Sequence, residues 1–161
     1  TSVPSTPTPT SAQPTATIPV NPQLSVSVSN SLTGTYKSTQ TLMGTKSSNA
    51  TLVFVNNSSS GVTYPSATTW QSTIQLNPGQ NNFLVFSQDG SGNRSNTVST
   101  SIRLHKIGDI NGDDLIDLTD LSMFGADWEK TDNFNHVLSD MNDDGVINLT
   151  DFSIFAKAYG N

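Results

Sequence analysis

Cysteine is absent from the 161 residues, which excludes disulfide staples, thiolate metal sites and thiol nucleophiles. Long apolar runs are missing as well. None approaches the ~20 residues needed to span a membrane, and the first residues hold no signal-type hydrophobic core. The chain begins at Thr1 in low-complexity sequence, as expected of a mature product or a piece of something larger. Basic residues are few, seven against thirteen acids. No basic stripe is present to replace the counterions of a nucleic acid, which argues against such a partner. The length leaves room for one or two small domains, each with a limited core.

The charges that are present are unevenly placed. Residues 1–105 carry Lys37, Lys46, Arg94 and Arg103 against Asp89 alone, whereas residues 106–161 carry Lys106, Lys130 and Lys157 against twelve acids. A segment this acidic either stays disordered or holds cations, and the spacing of its carboxylates decides which.

Composition divides the chain into three. Residues 1–22 (TSVPSTPTPTSAQPTATIPVNP) are uncharged and almost wholly Thr, Ser, Pro and Ala. Such a stretch buries too little apolar surface to offset its ordering entropy and is expected to be an extended linker or tail. Residues 23–105 read as β structure. Leu24, Val26 and Val28 alternate with serines, and further strands are expected at Thr39–Gly44, Thr51–Val55, Ser72–Leu76, Phe83–Ser87 and Val98–Leu104. Turn signals at 56–61, 77–79 and 89–93 separate them. Short strands at this spacing predict an antiparallel sandwich. The run TLMGTKSSNATLVFVN, a Trp, then LNPGQNNFLVFSQDGSGNRSN resembles bacterial Ig-like modules, which implies a spacer or scaffold. Trp70 suits the core of a sandwich, with a sugar-stacking platform at Trp70 or Tyr64 as the competing assignment.

The third segment, 106–161, contains a repeat: Asp109-Ile-Asn-Gly-Asp-Asp-Leu-Ile-Asp-Leu-Thr-Asp120 returns 31 residues later as Asp140-Met-Asn-Asp-Asp-Gly-Val-Ile-Asn-Leu-Thr-Asp151. Each copy places oxygen-bearing side chains at loop positions one, three, five, nine and twelve. Calcium, a hard cation, takes roughly six to eight oxygens, and a loop with this spacing wraps it. The expected ligands are Asp109, Asn111, Asp113 and Asp120 in the first loop, with Asp117 acting through water and the carbonyl of Leu115 completing the shell. In the second they are Asp140, Asn142, Asp144 and Asp151, with Asn148 in the water-linked role and the carbonyl of Val146. Magnesium, which keeps its waters and demands stricter geometry, suits these loops less well. Position six needs a left-handed backbone. Gly145 supplies it freely and Asp114 at a cost, so the first loop is expected to be the more strained. Ile116 and Ile147, at position eight, are expected to face the core and pair the two loops.

After each loop the apolar residues follow helical spacing: Leu121, Phe124 and Trp128, then Phe152, Phe155 and Tyr159, with Gly160 as a stop. Two such helices predict a small face-to-face core whose folding depends on metal.

Position twelve is Asp in both copies, and no long helix precedes the first loop. With those features, GDINGDDLIDLTDLSMFGADW and SDMNDDGVINLTDFSIFAKAYG resemble the dockerin family over roughly 55 of 161 residues. The resemblance implies two bound calcium ions and attachment of a secreted or surface protein to a cohesin-like module. It assigns partner contacts to loop positions ten and eleven and to helix positions seventeen and eighteen. Those are Leu118, Thr119, Gly125 and Ala126 in the first repeat, and Leu149, Thr150, Ala156 and Lys157 in the second. The Leu-Thr pair is the same in both, so either face is able to dock after a half-turn. The same positions are also ordinary helix-start and helix-surface positions, and the basic pair of many cellulosomal dockerins is missing. The whole chain is therefore expected to be an all-β Ig-like sandwich followed by a small all-α calcium module. It is expected to be extracellular or on the cell surface, and without catalytic activity. The alternative is a self-assembling surface protein that binds copies of itself, with Ile18 and Val20 of the tail added as a strand to a neighbour. Sequons at Asn49, Asn56, Asn57, Asn93 and Asn148 fit an extracellular chain.

Overall fold

The computed structural model describes residues 20–21, 23–29 and 32–159. The linker expected over 1–22 lies outside the described residues apart from its last few positions, and so do Ile18 and Gly160. Val20 forms a bridge to Arg94 of its own chain, and the Asn21 N–H donates to the Arg94 carbonyl at 2.8 Å.

Seven strands follow: β1 (Gly34–Thr35), β2 (Thr39–Thr45), β3 (Leu52–Val55), β4 (Val62–Ser66), β5 (Thr69–Gln75), β6 (Gly79–Gln88) and β7 (Val98–Leu104). They form two sheets, ordered β1-β7-β6-β3 and β2-β5-β4, with every pairing antiparallel except β1 on β7. The period-two pattern explains the layering. Along β5, Trp70, Ser72 and Ile74 point inward while Gln71, Thr73 and Gln75 face water. Leu42, Trp70 and Ile74 of one sheet meet Val53, Phe83, Val85 and Ile102 of the other in a single core. This is a β-sandwich.

Five of the expected strands are present. The alternating Leu24–Val28 stretch is instead an edge segment: Val26 bridges Lys46, and the N–H groups of Ser27 and Ser29 donate to Thr45 and Met43 of β2. Two strands carry no signal in the sequence. β1 is a Gly-Thr pair, and β4 is an exposed edge that tolerates Pro65 because an edge strand need not donate there. Trp70 is 1% exposed, and its indole N–H donates to the Ser27 carbonyl at 3.1 Å, so it belongs to the core and offers no sugar platform. A Cβ on Gly44 would lie 1.9 Å from that same carbonyl, which explains the glycine beside the indole. Tyr64 is engaged too. Its hydroxyl accepts from the Val53 N–H, and the Lys46 ammonium lies 5.4 Å above its ring.

The remaining segment holds α1 (Leu118–Ala126), a 3₁₀ turn at Val137–Ser139 and α2 (Leu149–Tyr159). Phe124 and Phe155 stack at 6.0 Å between centroids, with Ile110, Met141 and Ile147 completing a small core. Of each expected aromatic or apolar triad only the middle member is fully buried. Trp128 lies beyond α1 at 42% exposure and Tyr159 is 48% exposed, because two short helices offer one shared layer. Ile147 is buried as expected, but its backbone exchanges bonds with Glu129 and Lys130 (Glu129 N–H to Ile147 O, 2.9 Å; Ile147 N–H to Lys130 O, 3.0 Å). It therefore ties down the segment after α1 rather than the first loop.

Candidate metal centre

Each loop is shaped by its own carboxylates. Position-one Asp109 accepts from the N–H groups of Gly112, Asp113 and Asp114, and its counterpart Asp140 accepts from those of Asp144 and Gly145. Position-twelve Asp120 accepts from Ile110, Asn111 and Asp117, and Asp151 repeats this on Met141, Asn142 and Asn148. Asp109, Asp120 and Asp151 are fully buried. Carboxylates withdrawn from water this completely are held here by N–H donors, and a cation would complete their pairing.

Among the described residues, Asp140, Asp144 and Asp151 bring ligand oxygens within 4.8 Å of one another. The first loop shows no such convergence. There Asp109 is committed to three N–H groups and lies 3.8 Å from His105 Nδ1. The donors are all hard oxygens, a set that fits calcium. At position nine Asp117 and Asn148 do something further: each caps the following helix, accepting from the N–H of Thr119 or Thr150 at 2.7 Å. The Thr119 N–H also holds the Asp117 carboxyl below its ordinary range. Asn111 and Asn142 each donate to the position-five carboxylate of their loop, at 3.0 and 2.8 Å. The Val146 carbonyl accepts from the Asn148 amide at 3.2 Å.

The strain expected of the first loop alone is shared by both. Each loop has two left-handed residues, at positions four and six. Gly112 (φ 81°) and Asp114 (φ 70°) fill them in the first, Asp143 (φ 62°) and Gly145 (φ 84°) in the second. Glycine and aspartate have exchanged places. A Cβ on Gly112 would sit 2.8 Å from the His105 ring, whereas a Cβ on Gly145 would meet nothing. His105 therefore fixes where the first loop needs its glycine. Burial pushes the His105 imidazole below its ordinary pKa, with Arg103 adding to the effect against the pull of Asp109.

A further buried acid carries no loop signature. Asp127, just past α1, has no exposed surface and accepts from Lys130 Nζ (2.7 Å), the Asn135 N–H (2.6 Å) and the His136 N–H (2.7 Å), with His136 Nδ1 at 3.1 Å. Burial alone would raise its pKa, but the bonds from Lys130, Asn135 and His136 outweigh it and hold the carboxyl low. It anchors the connection that leads into the second loop. The available clue was its place at a helix C-terminus, where the helix dipole disfavours an anion unless other contacts hold it.

The eight residues expected at a partner surface are all exposed, Leu118 and Leu149 at 68% and 69%. Leu118, Leu121, Phe152, Phe155, Ala156 and Tyr159 line a shallow groove of about 200 Å³ between the helices, so four residues outside the expected set share that surface.

The sequence model of the Dockerin type I domain family matches residues 107–158. No curated protein matches the chain. Among solved structures, one described as "Structures of Clostridium thermocellum CbhA fibronectin(III)-like modules" is similar over 53% of this chain and 48% of that chain, at 14% identity and a TM-score of 0.39. The chain thus spans about half the length of that structure. The molecule is a β-sandwich over residues 34–104 followed by a small helical region that matches the dockerin domain.

Proposed function

We propose that the chain is a non-catalytic extracellular attachment unit whose dockerin-type end holds two calcium ions and docks on a cohesin-like module. The observation that carries this reading is the near bond-for-bond repetition of two oxygen-lined loops, each leading straight into a helix that starts with an exposed Leu-Thr pair. Calcium would be held by Asp109, Asn111, Asp113, Asp117 and Asp120 with the Leu115 carbonyl. The second ion would be held by Asp140, Asn142, Asp144, Asn148 and Asp151 with the Val146 carbonyl. Bound calcium neutralises carboxylates that would otherwise repel one another across twelve residues, and so fixes the starts of both helices.

Partner contact would fall on Leu118 and Thr119, on Leu149 and Thr150, and on Gly125, Ala126, Ala156 and Lys157 further along the helices. The exposed leucines and the neighbouring groove make this an apolar face, and it lacks the basic pair of many cellulosomal dockerins. The sandwich, possessing no clustered acid pair or nucleophile set, acts as a spacer. Among the described residues, no helix is long and apolar enough to cross a membrane.

The test is binding of the full chain to a panel of immobilised cohesin-type modules, in millimolar calcium and then in EDTA. Capture in calcium and release by EDTA are expected. Leu118→Ala or Leu149→Ala alone should leave capture nearly intact, and the two together should abolish it. No capture by any module in calcium would overturn the partner assignment.

A further inference from the structure

We infer that the calcium loops also latch the module onto the sandwich, so that calcium sets the orientation of the two domains; this rests on the calcium reading above. The two aspartates that occupy left-handed positions where glycine would be unstrained, Asp114 and Asp143, are the two that reach across the seam. Asp114 pairs with Arg103 of β7 at 2.8 Å, and Asp143 pairs with Lys37, just beyond β1. Lys106 adds a bond from its ammonium to the Asp114 carbonyl at 2.9 Å. Neither aspartate stands at a liganding position of its loop. Each occupies a costly backbone conformation and turns its carboxylate to a cation of the other domain.

The charges match this arrangement. The first loop holds five aspartates beside Arg103 and Lys106, the second four beside Lys37, so one calcium ion in each would leave both loops at −1. Between the two pairs His105 fills the space over Gly112 and contacts the Tyr36 ring edge-on at 6.4 Å, and Tyr36 packs on the core of the helical module. The seam is therefore aromatic at its centre and ionic at the loops. Its contacts go with the left-handed backbone at positions four and six, a shape that a wrapped cation would hold. A loop that opens without calcium carries Asp114 and Asp143 away from their partners. By linkage, whatever calcium adds to docking, docking adds to calcium binding.

The absence of cysteine allows a direct test on the full chain. Spin labels at Ser60→Cys in the sandwich and Thr131→Cys in the module report the inter-domain distance by pulsed electron resonance. Wild-type chain in calcium should give one narrow distance, and EDTA should broaden it. Two double variants, Lys37→Ala/Arg103→Ala and Asp114→Gly/Asp143→Gly, should lower the docked population roughly two- to fivefold per pair, as exposed ion pairs do. Both should still bind two ions by calorimetry. The glycine variant relieves the backbone while removing the anion, so its broadening cannot be blamed on a misfolded loop. A narrow distance retained in calcium-loaded variants would overturn the latch. A wild-type chain that takes up no calcium would overturn the reading beneath it, and the calorimetry reports that separately.

Discussion

The two oxygen-rich loops repeat one chemical pattern at an interval of 31 residues, yet they place their single glycine at opposite ends of the same tight bend. In the first loop glycine stands at position four, under the His105 ring, and aspartate at position six. In the second the order is reversed, and the glycine faces open space. Both loops need two left-handed residues, and in each the non-glycine one is an aspartate that pairs with the sandwich. The pattern of oxygen donors is thus common to the two repeats. Contact with the neighbouring domain is what makes them differ.

The largest effect separates the module from the sandwich. Chelation by EDTA should abolish most of the helical circular dichroism while leaving the strand signal, since a core this small depends on its metals. A helical spectrum indifferent to chelator would show that the loops are held without calcium. Next, Asp120→Ala and Asp151→Ala should each lower the calcium stoichiometry from two to one. Retention of two ions in either variant would remove that residue from the ligand set.

The glycines should then divide the two loops. Gly145→Ala should cost about 1–2 kcal/mol, the price of a side chain in the left-handed region. Gly112→Ala should cost about 1–3 kcal/mol more, because its methyl would lie 2.8 Å from the His105 ring. Equal losses in calcium-saturated thermal melts would mean that His105 moves freely. An effect of similar size to that of Gly145 belongs to the connection between the repeats. Asp127→Asn should cost about 2 kcal/mol at neutral pH by weakening bonds to a charged carboxylate. The depressed Asp127 carboxyl contributes stability that is full above the ordinary carboxyl pKa and lost as pH falls through its folded value. The gap between wild type and variant should therefore close below about pH 4. A gap that persists in acid would point to packing rather than charge.

Much of this was legible in the residues. Oxygen donors at alternating positions, an Asp at position twelve and helical spacing beyond it are local signals, complete within about twenty residues. The alternation along β5 and β7 is equally local. What was hidden depended on distant partners. Asp127 looks like one more surface acid until Asn135 and His136 close around it, and β4 looks like a loop because an edge strand need bury nothing. The exposed apolar face that adds Phe152, Tyr159 and Leu121 to the expected contacts was disguised by helical spacing that equally suits a core.

By itself the sequence determined that the C-terminal third repeats an oxygen-rich loop followed by a helix and that the middle is built of strands, because donor spacing and side-chain alternation are fixed by chain geometry alone. Only the tertiary structure decided that Trp70 is core, that His105 governs the glycine of the first loop, and that Asp114 and Asp143 face Arg103 and Lys37. Those outcomes depend on which segments meet across space, and two domains with separate local codes meet at a seam that neither code describes.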